Sequence, residues 1–384
     1  MTRWLPPCVD AVAAREPARV NESAPLTVGR SVDWKFAGTV GAQLVRPAPP
    51  ASEYTRRQAV DDLAESAVAA EGPVREVTLL GCDDPVPPAR IVDRKEWVRA
   101  ASESMRVMTG GPNSAGDSRD GTLTGRIAGA QTGAVLAFVS SGILGQYDPF
   151  SPGGQERSDS GKSPGGQGDL LLVYPNVIAV ERQLHLNPKD FRLWVCLHEV
   201  THRVQFTANP WLSQHMSNAL EVLTAERGDD VRQVAARLAD FVKERRRANG
   251  GDVNHPGVIG LLRAIQSESQ QQALDQLLVL GTLLEGHADY VMDAVGPAVV
   301  PSVHLIRSRF NDRRQRKHPP LQRLVRALLG VDAKMAQYTR GRAFVDHVVD
   351  RVGMERFNVV WTDADTLPRP NEIENPQAWV DRVL

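Results

Sequence analysis

The stretch LHEVTHRVQF, residues 197–206, sets two histidines four positions apart with a glutamate directly after the first. Four residues on a helix are little more than one turn, so His198 and His202 share a face with Cβ atoms about 5–6 Å apart. Two imidazole nitrogens at that separation can both reach one zinc ion at roughly 2.0–2.1 Å. Glu199 is rotated about 100° from His198, beside such an ion rather than on it. There its carboxylate can take a proton from metal-activated water. The competing reading is three ordinary polar residues on a helix. Apolar neighbours weigh against it, because polar groups in such surroundings need partners and a metal supplies one.

Two histidines leave a zinc site incomplete. The best source of a third ligand is GTLLEGHADYVMD, residues 281–293, where Glu285 and Asp289 lie four apart among leucines, Val291 and Met292. A carboxylate in such surroundings is costly unless paired or metal-bound. Glu285 is the expected ligand, and Asp289 is expected to hydrogen-bond the outer nitrogen of a ligand histidine and fix its orientation. His287 competes, but it lies about 200° round the helix from Glu285, so the two cannot bind one ion on an unbroken helix. His255 and His304 are further alternatives. A salt bridge to an arginine is the non-metal reading of both carboxylates. Tyr290, His304 and Tyr338 are candidates for stabilising an oxyanion or lining the site.

The elements around these residues read as mostly helical, with a small β contribution. Asn187-Pro188 is a strong helix start, with Asp190 in a first turn that favours a carboxylate, and Asn209-Pro210 closes the motif helix. Ser52-Glu53 opens an earlier helix with Val60, Leu63, Ala67 and Val68 as apolar positions. Residues 90–107, 225–247 and 267–295 read as helices, the last ended by Gly296-Pro297. Residues 74–80 (VREVTLL) look like a strand, and residues 170–180 like a buried strand leading into the motif helix. Residues 109–121 read as loop, and the tail after residue 361 as a proline-broken surface segment. The organisation expected is an N-terminal helical region over 1–150, a flexible Gly/Ser-rich loop over 151–169 and a catalytic region over 170–384, all in one integrated unit.

A charge-free stretch, residues 127–147, is long enough to span a bilayer and holds the GxxxG pair Gly129 and Gly133. Its Gly, Ala, Ser, Thr and Gln content makes it a closely packed core helix instead, so no membrane span is expected. The formal net charge of −1 gives no field that would draw nucleic acid. Residues 307–317 are a basic cluster read as a solvated turn. Three distant cysteines, Cys8, Cys82 and Cys196, make neither a disulfide framework nor a thiolate metal site, and the first residues lack a secretory signal pattern. A cytoplasmic location is expected.

The HEVTH motif with a downstream E-x-x-x-D helix resembles the gluzincin arrangement of zinc metallopeptidases. The segments VDWKFAGTVGAQL, YDPF at 147–150, HEVTHRVQF, LEGHADYVMD and LPRPNEIENPQAWVDRV resemble more closely the actinobacterial zincin-like family, and they span nearly the whole chain. Its members are described as zinc-dependent metalloproteases or hydrolases, and one branch is labelled as associated with deazaflavin-cofactor biosynthesis. The resemblance implies a zincin-like, mainly α fold, His198 and His202 as ligands, Glu199 as the catalytic carboxylate and, from the wider gluzincin pattern, Glu285. A long interval between His202 and Glu285 departs from many gluzincins and leaves room for a helical insertion. The function expected is a zinc-dependent metallohydrolase, first of all a peptidase acting on a peptide or protein. The alternatives are a zinc-bearing interaction protein without catalysis, and a hydrolase of a non-peptide amide or ester.

Overall fold

A computed structural model describes residues 32–81, 86–110, 122–151, 168–224, 267–315 and 331–384, with the side chains of 110, 224, 313–315 and 331–339 excepted. The sequence segments 111–121, 152–167 and 225–266, with Cys8, Cys82 and His255, lie outside the described residues. The architecture is mainly helical with a small three-stranded sheet, as the patterning predicts.

Helices begin where the caps say they should. Helix α1 (Trp34–Leu44) starts on Asp33, whose carboxylate accepts from the Phe36 N–H at 2.9 Å, and α2 (Glu53–Ala69) starts on Ser52. Helix α3 (Glu71–Thr78) corrects an expectation, since this segment reads as a strand. Its buried residues, Val74 and Thr78, are four apart and therefore lie on one helical face. Val74 and Thr78, two of the three branched side chains that suggested β structure, are the ones this face buries.

Strand β1 (Arg90–Val92) precedes helix α4 (Arg94–Gly110), so the helix read over 90–107 loses its first residues to the sheet. The charge-free stretch also divides. Helix α5 (Leu123–Val139) ends before strand β2 (Gly145–Asp148) begins. Only the small-residue face of α5 is buried. Gly129 and Gly133 touch the α1 backbone so closely that a Cβ would lie 2.6 Å from the Asp33 oxygen and 2.5 Å from that of Ala37. Leu123, Ile127 and Val135 are exposed. No helix among the described residues is long and apolar enough to cross a membrane.

Strand β3 (Asp169–Val173) is the centre of the sheet, pairing parallel to β1 and antiparallel to β2. The strand is shorter than its apolar run suggests, because helix α6 (Tyr174–Gln183) begins at once with Pro175 in its first turn. Helix α7 (Pro188–Ala208) follows, capped by the Asn187 side chain. It is buried on nearly every side, with Phe191, Val195, Cys196, Leu197, Val200 and Val204 all at or below 2% exposure. Each large apolar side chain hidden this way stabilises the fold by about 1.5–3 kcal/mol.

After α8 (Trp211–Thr224), helix α9 (Glu268–Ala294) starts on a Ser267/Gln270 capping box and packs along α7. Helix α10 (Val303–Gln315) and helix α11 (Val331–Val352) pack beside them, α11 crossing α9 where Gly286 meets Gly341. The tail is more than a surface segment, because several of its side chains are buried. Short helices α12 (Met354–Phe357), α13 (Pro370–Glu374) and α14 (Pro376–Val383) carry Phe357, Ile373 and Trp379 into the main core. Two of its three prolines, Pro370 and Pro376, sit in the first turns of α13 and α14, where they cost no hydrogen bond.

Candidate metal centre

Helices α7 and α9 meet at His198, His202 and Glu285. His198 Nε2 and His202 Nε2 are 3.2 Å apart, and Glu285 Oε2 lies 3.2 Å from the first and 3.7 Å from the second. The two imidazoles stand nearly perpendicular, at 87°, so their nitrogens point into a common space. Atoms that bind one tetrahedral zinc at about 2.0–2.1 Å lie roughly 3.3–3.4 Å from one another. The triangle matches that size, and among the described residues this is the group of histidine, cysteine and carboxylate side chains suited to hold a metal ion.

The outer nitrogens explain why lone pairs converge. His202 Nδ1 lies 2.9 Å from Gln205 Oε1, and His198 Nδ1 lies 3.3 Å from the Met292 thioether. An amide oxygen and a thioether sulfur only accept, so both contacts place the ring hydrogen on Nδ1 and leave Nε2 bare in the neutral ring. Two bare nitrogens and a carboxylate oxygen facing one another suit a cation. The donor set, two imidazoles and one carboxylate, is one that zinc takes with a position left open.

The charges of the three side chains are mutually adjusted. Burial pushes the Glu285 carboxyl up, but the two imidazoles outweigh it and hold it well below the ordinary range. Burial pulls His202 down, and Glu285 more than reverses this, so its pKa is raised.

Glu199 is 7% exposed on α7, one residue beyond His198, and its charge acts on His202. Strand β2 fixes its other side. A Cβ on Gly145 would fall 2.6 Å from Glu199 Cγ and 2.9 Å from Cδ, so the absence of a side chain there makes the space that Glu199 occupies.

Asp289 does not reach a histidine. Its carboxylate pairs with Arg307 of α10 and lies 3.9 Å from Arg342 of α11. Both arginines also bind Asp293 at 2.8 Å. This corrects the orienting role expected of Asp289 and the solvated reading of the basic cluster at Arg307. The two guanidinium groups supply this half-buried carboxylate with its cationic partners. Tyr290 belongs to the same cluster, its ring centroid 5.3 Å from the Arg342 guanidinium. His304 is exposed on α10, and the Tyr338 side chain lies outside the described residues.

His287 is fully buried between Phe357 and Trp361, with ring centroids 5.4 Å from each. Burial, helped by the nearby His202, lowers its pKa to about 3. Its Nδ1 contacts Gln205 Nε2 at 3.0 Å, not the metal triangle. Gln205 is the residue that sequence reasoning missed. The available signal was its place three residues after His202 on a helix that is otherwise apolar.

A family model for zincin-like metallopeptidases matches residues 32–380 of the chain. A crystal structure from Chloroflexus aurantiacus, described as a candidate hydrolase with a novel fold, is similar at 27% identity and a TM-score of 0.61. The likeness covers 91% of this chain and 98% of that one. A search among curated proteins finds no match.

Proposed function

Because the chain belongs to the zincin-like metallopeptidase family, we propose that it is a zinc-dependent hydrolase that cleaves peptide bonds. The observation that carries this reading is the triangle of His198 Nε2, His202 Nε2 and Glu285 Oε2, with every side at or below 3.7 Å. In this reading these three residues hold the metal in the gluzincin manner. Zinc bound there supplies a Lewis acid that makes water nucleophilic near neutral pH. Glu199 accepts the proton that water loses and returns it to the departing amine, the work of a buried carboxylate held next to the ligands. Gly145 of β2 leaves the space which that carboxylate occupies.

Strand β2 favours a peptide over another amide. It forms one edge of the sheet, paired among the described residues with β3, and it abuts Glu199. An extended peptide added to a sheet edge is held by main-chain hydrogen bonds along its length. Such a peptide would carry its amide groups past the glutamate.

The test combines metal analysis with cleavage of a peptide library by the wild type and Glu199→Gln. The expected outcome is one zinc per chain in both proteins and a loss of cleavage of at least roughly 100-fold in the variant. Equal cleavage by the two proteins would overturn the proposal.

A further inference from the structure

Gln205 is fully buried on α7, and its carboxamide touches three groups. Nε2 lies 3.1 Å from the Leu284 carbonyl oxygen and 3.0 Å from His287 Nδ1, while Oε1 lies 2.9 Å from His202 Nδ1. The Leu284 oxygen only accepts, so it fixes which end of the amide is nitrogen. The oxygen must then face His202, which receives no alternative but to donate from Nδ1. The second amide hydrogen goes to His287 Nδ1, which accepts and keeps its own hydrogen on Nε2. Every link in this chain has one possible polarity.

The Leu284 carbonyl belongs to the peptide group that leads into Glu285. One side chain on α7 therefore touches both the ring of His202 and the backbone that carries Glu285. The two bonds run in opposite directions along the same rigid amide, so a displacement of α9 is transmitted to the histidine. The outer nitrogen of His198 meets a weaker acceptor, the thioether of Met292.

We propose that Gln205 is the positioning residue of the metal centre, fixing the tautomer of His202 and the placement of Glu285 together, with His287 locking the carboxamide rather than binding metal. The inference rests on the reading of His198, His202 and Glu285 as ligands. It gives the fully buried His287 a role that neither coordination nor plain packing supplies. Outer partners of ligand histidines typically contribute about 10–100-fold to metal affinity.

The experiment uses the full chain as wild type and as four variants, Gln205→Met, His287→Phe, His202→Ala and Met292→Leu. Zinc release is followed by competition with a chromogenic chelator, and the visible spectrum is recorded after cobalt replaces zinc. Gln205→Met keeps the side-chain length, removes both bonds that the amide nitrogen donates and offers His202 at most a weak thioether acceptor in place of the amide oxygen. It is expected to weaken metal binding about 10–100-fold and to change the cobalt spectrum, which loss of packing elsewhere would not do. His287→Phe keeps a ring between Phe357 and Trp361 and removes only the acceptor. It should retain metal with a smaller loss, and it reads the same unit if Gln205→Met does not fold. Met292→Leu should affect binding less than Gln205→Met. If His202→Ala loses zinc while Gln205→Met and His287→Phe match the wild type in affinity and spectrum, the positioning role is wrong and the ligand assignment stands. If His202→Ala keeps zinc, the ligand reading itself fails and this inference falls with it.

Discussion

Glu285 and Asp289 sit one turn apart on α9, and their carboxylates meet opposite kinds of partner. Glu285 faces two imidazoles of α7 at 3.2 and 3.7 Å, whereas Asp289 takes the guanidinium of Arg307 and lies near that of Arg342. An arginine carries its charge at all working pH values and saturates a carboxylate with a fork of donors. An imidazole whose hydrogen is held on the outer nitrogen turns a lone pair towards the carboxylate instead, which leaves room for a cation. The same residue class on the same helix is thus structural in one place and suited to a metal in the next. Arg192 repeats the first pattern elsewhere on α7, where its buried guanidinium is taken up by Glu181 and Asp62.

The strongest way to break this contrast is to remove each carboxylate in turn. Glu285→Ala should abolish stoichiometric zinc binding, because it deletes one of the three proposed ligands, while Asp289→Ala should leave the metal in place. Metal content after dialysis decides, and loss of zinc in Asp289→Ala alone would reverse the assignment.

Glu199 extends the comparison to a carboxylate that is expected to react rather than to bind. Gly145→Ala would drive a methyl group into its side chain. Peptide cleavage should fall roughly 10–100-fold, the cost of a small misplacement of a reacting group, with zinc content unchanged. An unimpaired Gly145→Ala enzyme would mean that Glu199 is not held by β2.

Asp289→Asn should act on stability. It removes one charge from the cluster while Arg307 and Arg342 keep Asp293, so the expected loss is about 1–3 kcal/mol in chemical denaturation. Zinc affinity should stay within a few-fold of wild type. A 10-fold or greater drop in affinity would show that the arginine cluster and the metal centre are one unit.

The smallest effect is on the pH dependence of the metal-free chain. The raised pKa of His202 contributes stability that is fully present below its reference value of 6.5 and is lost as pH rises through its folded value. The lowered pKa of Glu285 contributes above its reference value of 4.5 and is lost as pH falls through its folded value. Their joint contribution should peak between those two reference values. Saturating zinc should remove this peak, because the metal takes the place of the proton. Melting curves with and without chelator test it, and identical pH profiles would exclude the coupling.

The sequence by itself determined the parts that depend on near neighbours. The Asn187 and Ser267 caps, the turn that brings His198 and His202 to one face and the placement of Glu285 follow from helical periodicity and capping, which act within a few residues. Tertiary structure alone decided what required distant partners. The three residues of β1 form a strand because Leu171, Leu172 and Val173 pair with them, and residues 71–78 are helical because one face is buried. The tail enters the core because Trp379 finds space beside Phe344. Asp289 turned to Arg307, and Gln205 reached Leu284 and His287, across intervals of 18, 79 and 82 residues. A polar side chain takes whichever complementary group packing brings within about 3 Å. Helical spacing fixes the direction in which that side chain leaves the backbone, but the group that meets it belongs to another helix.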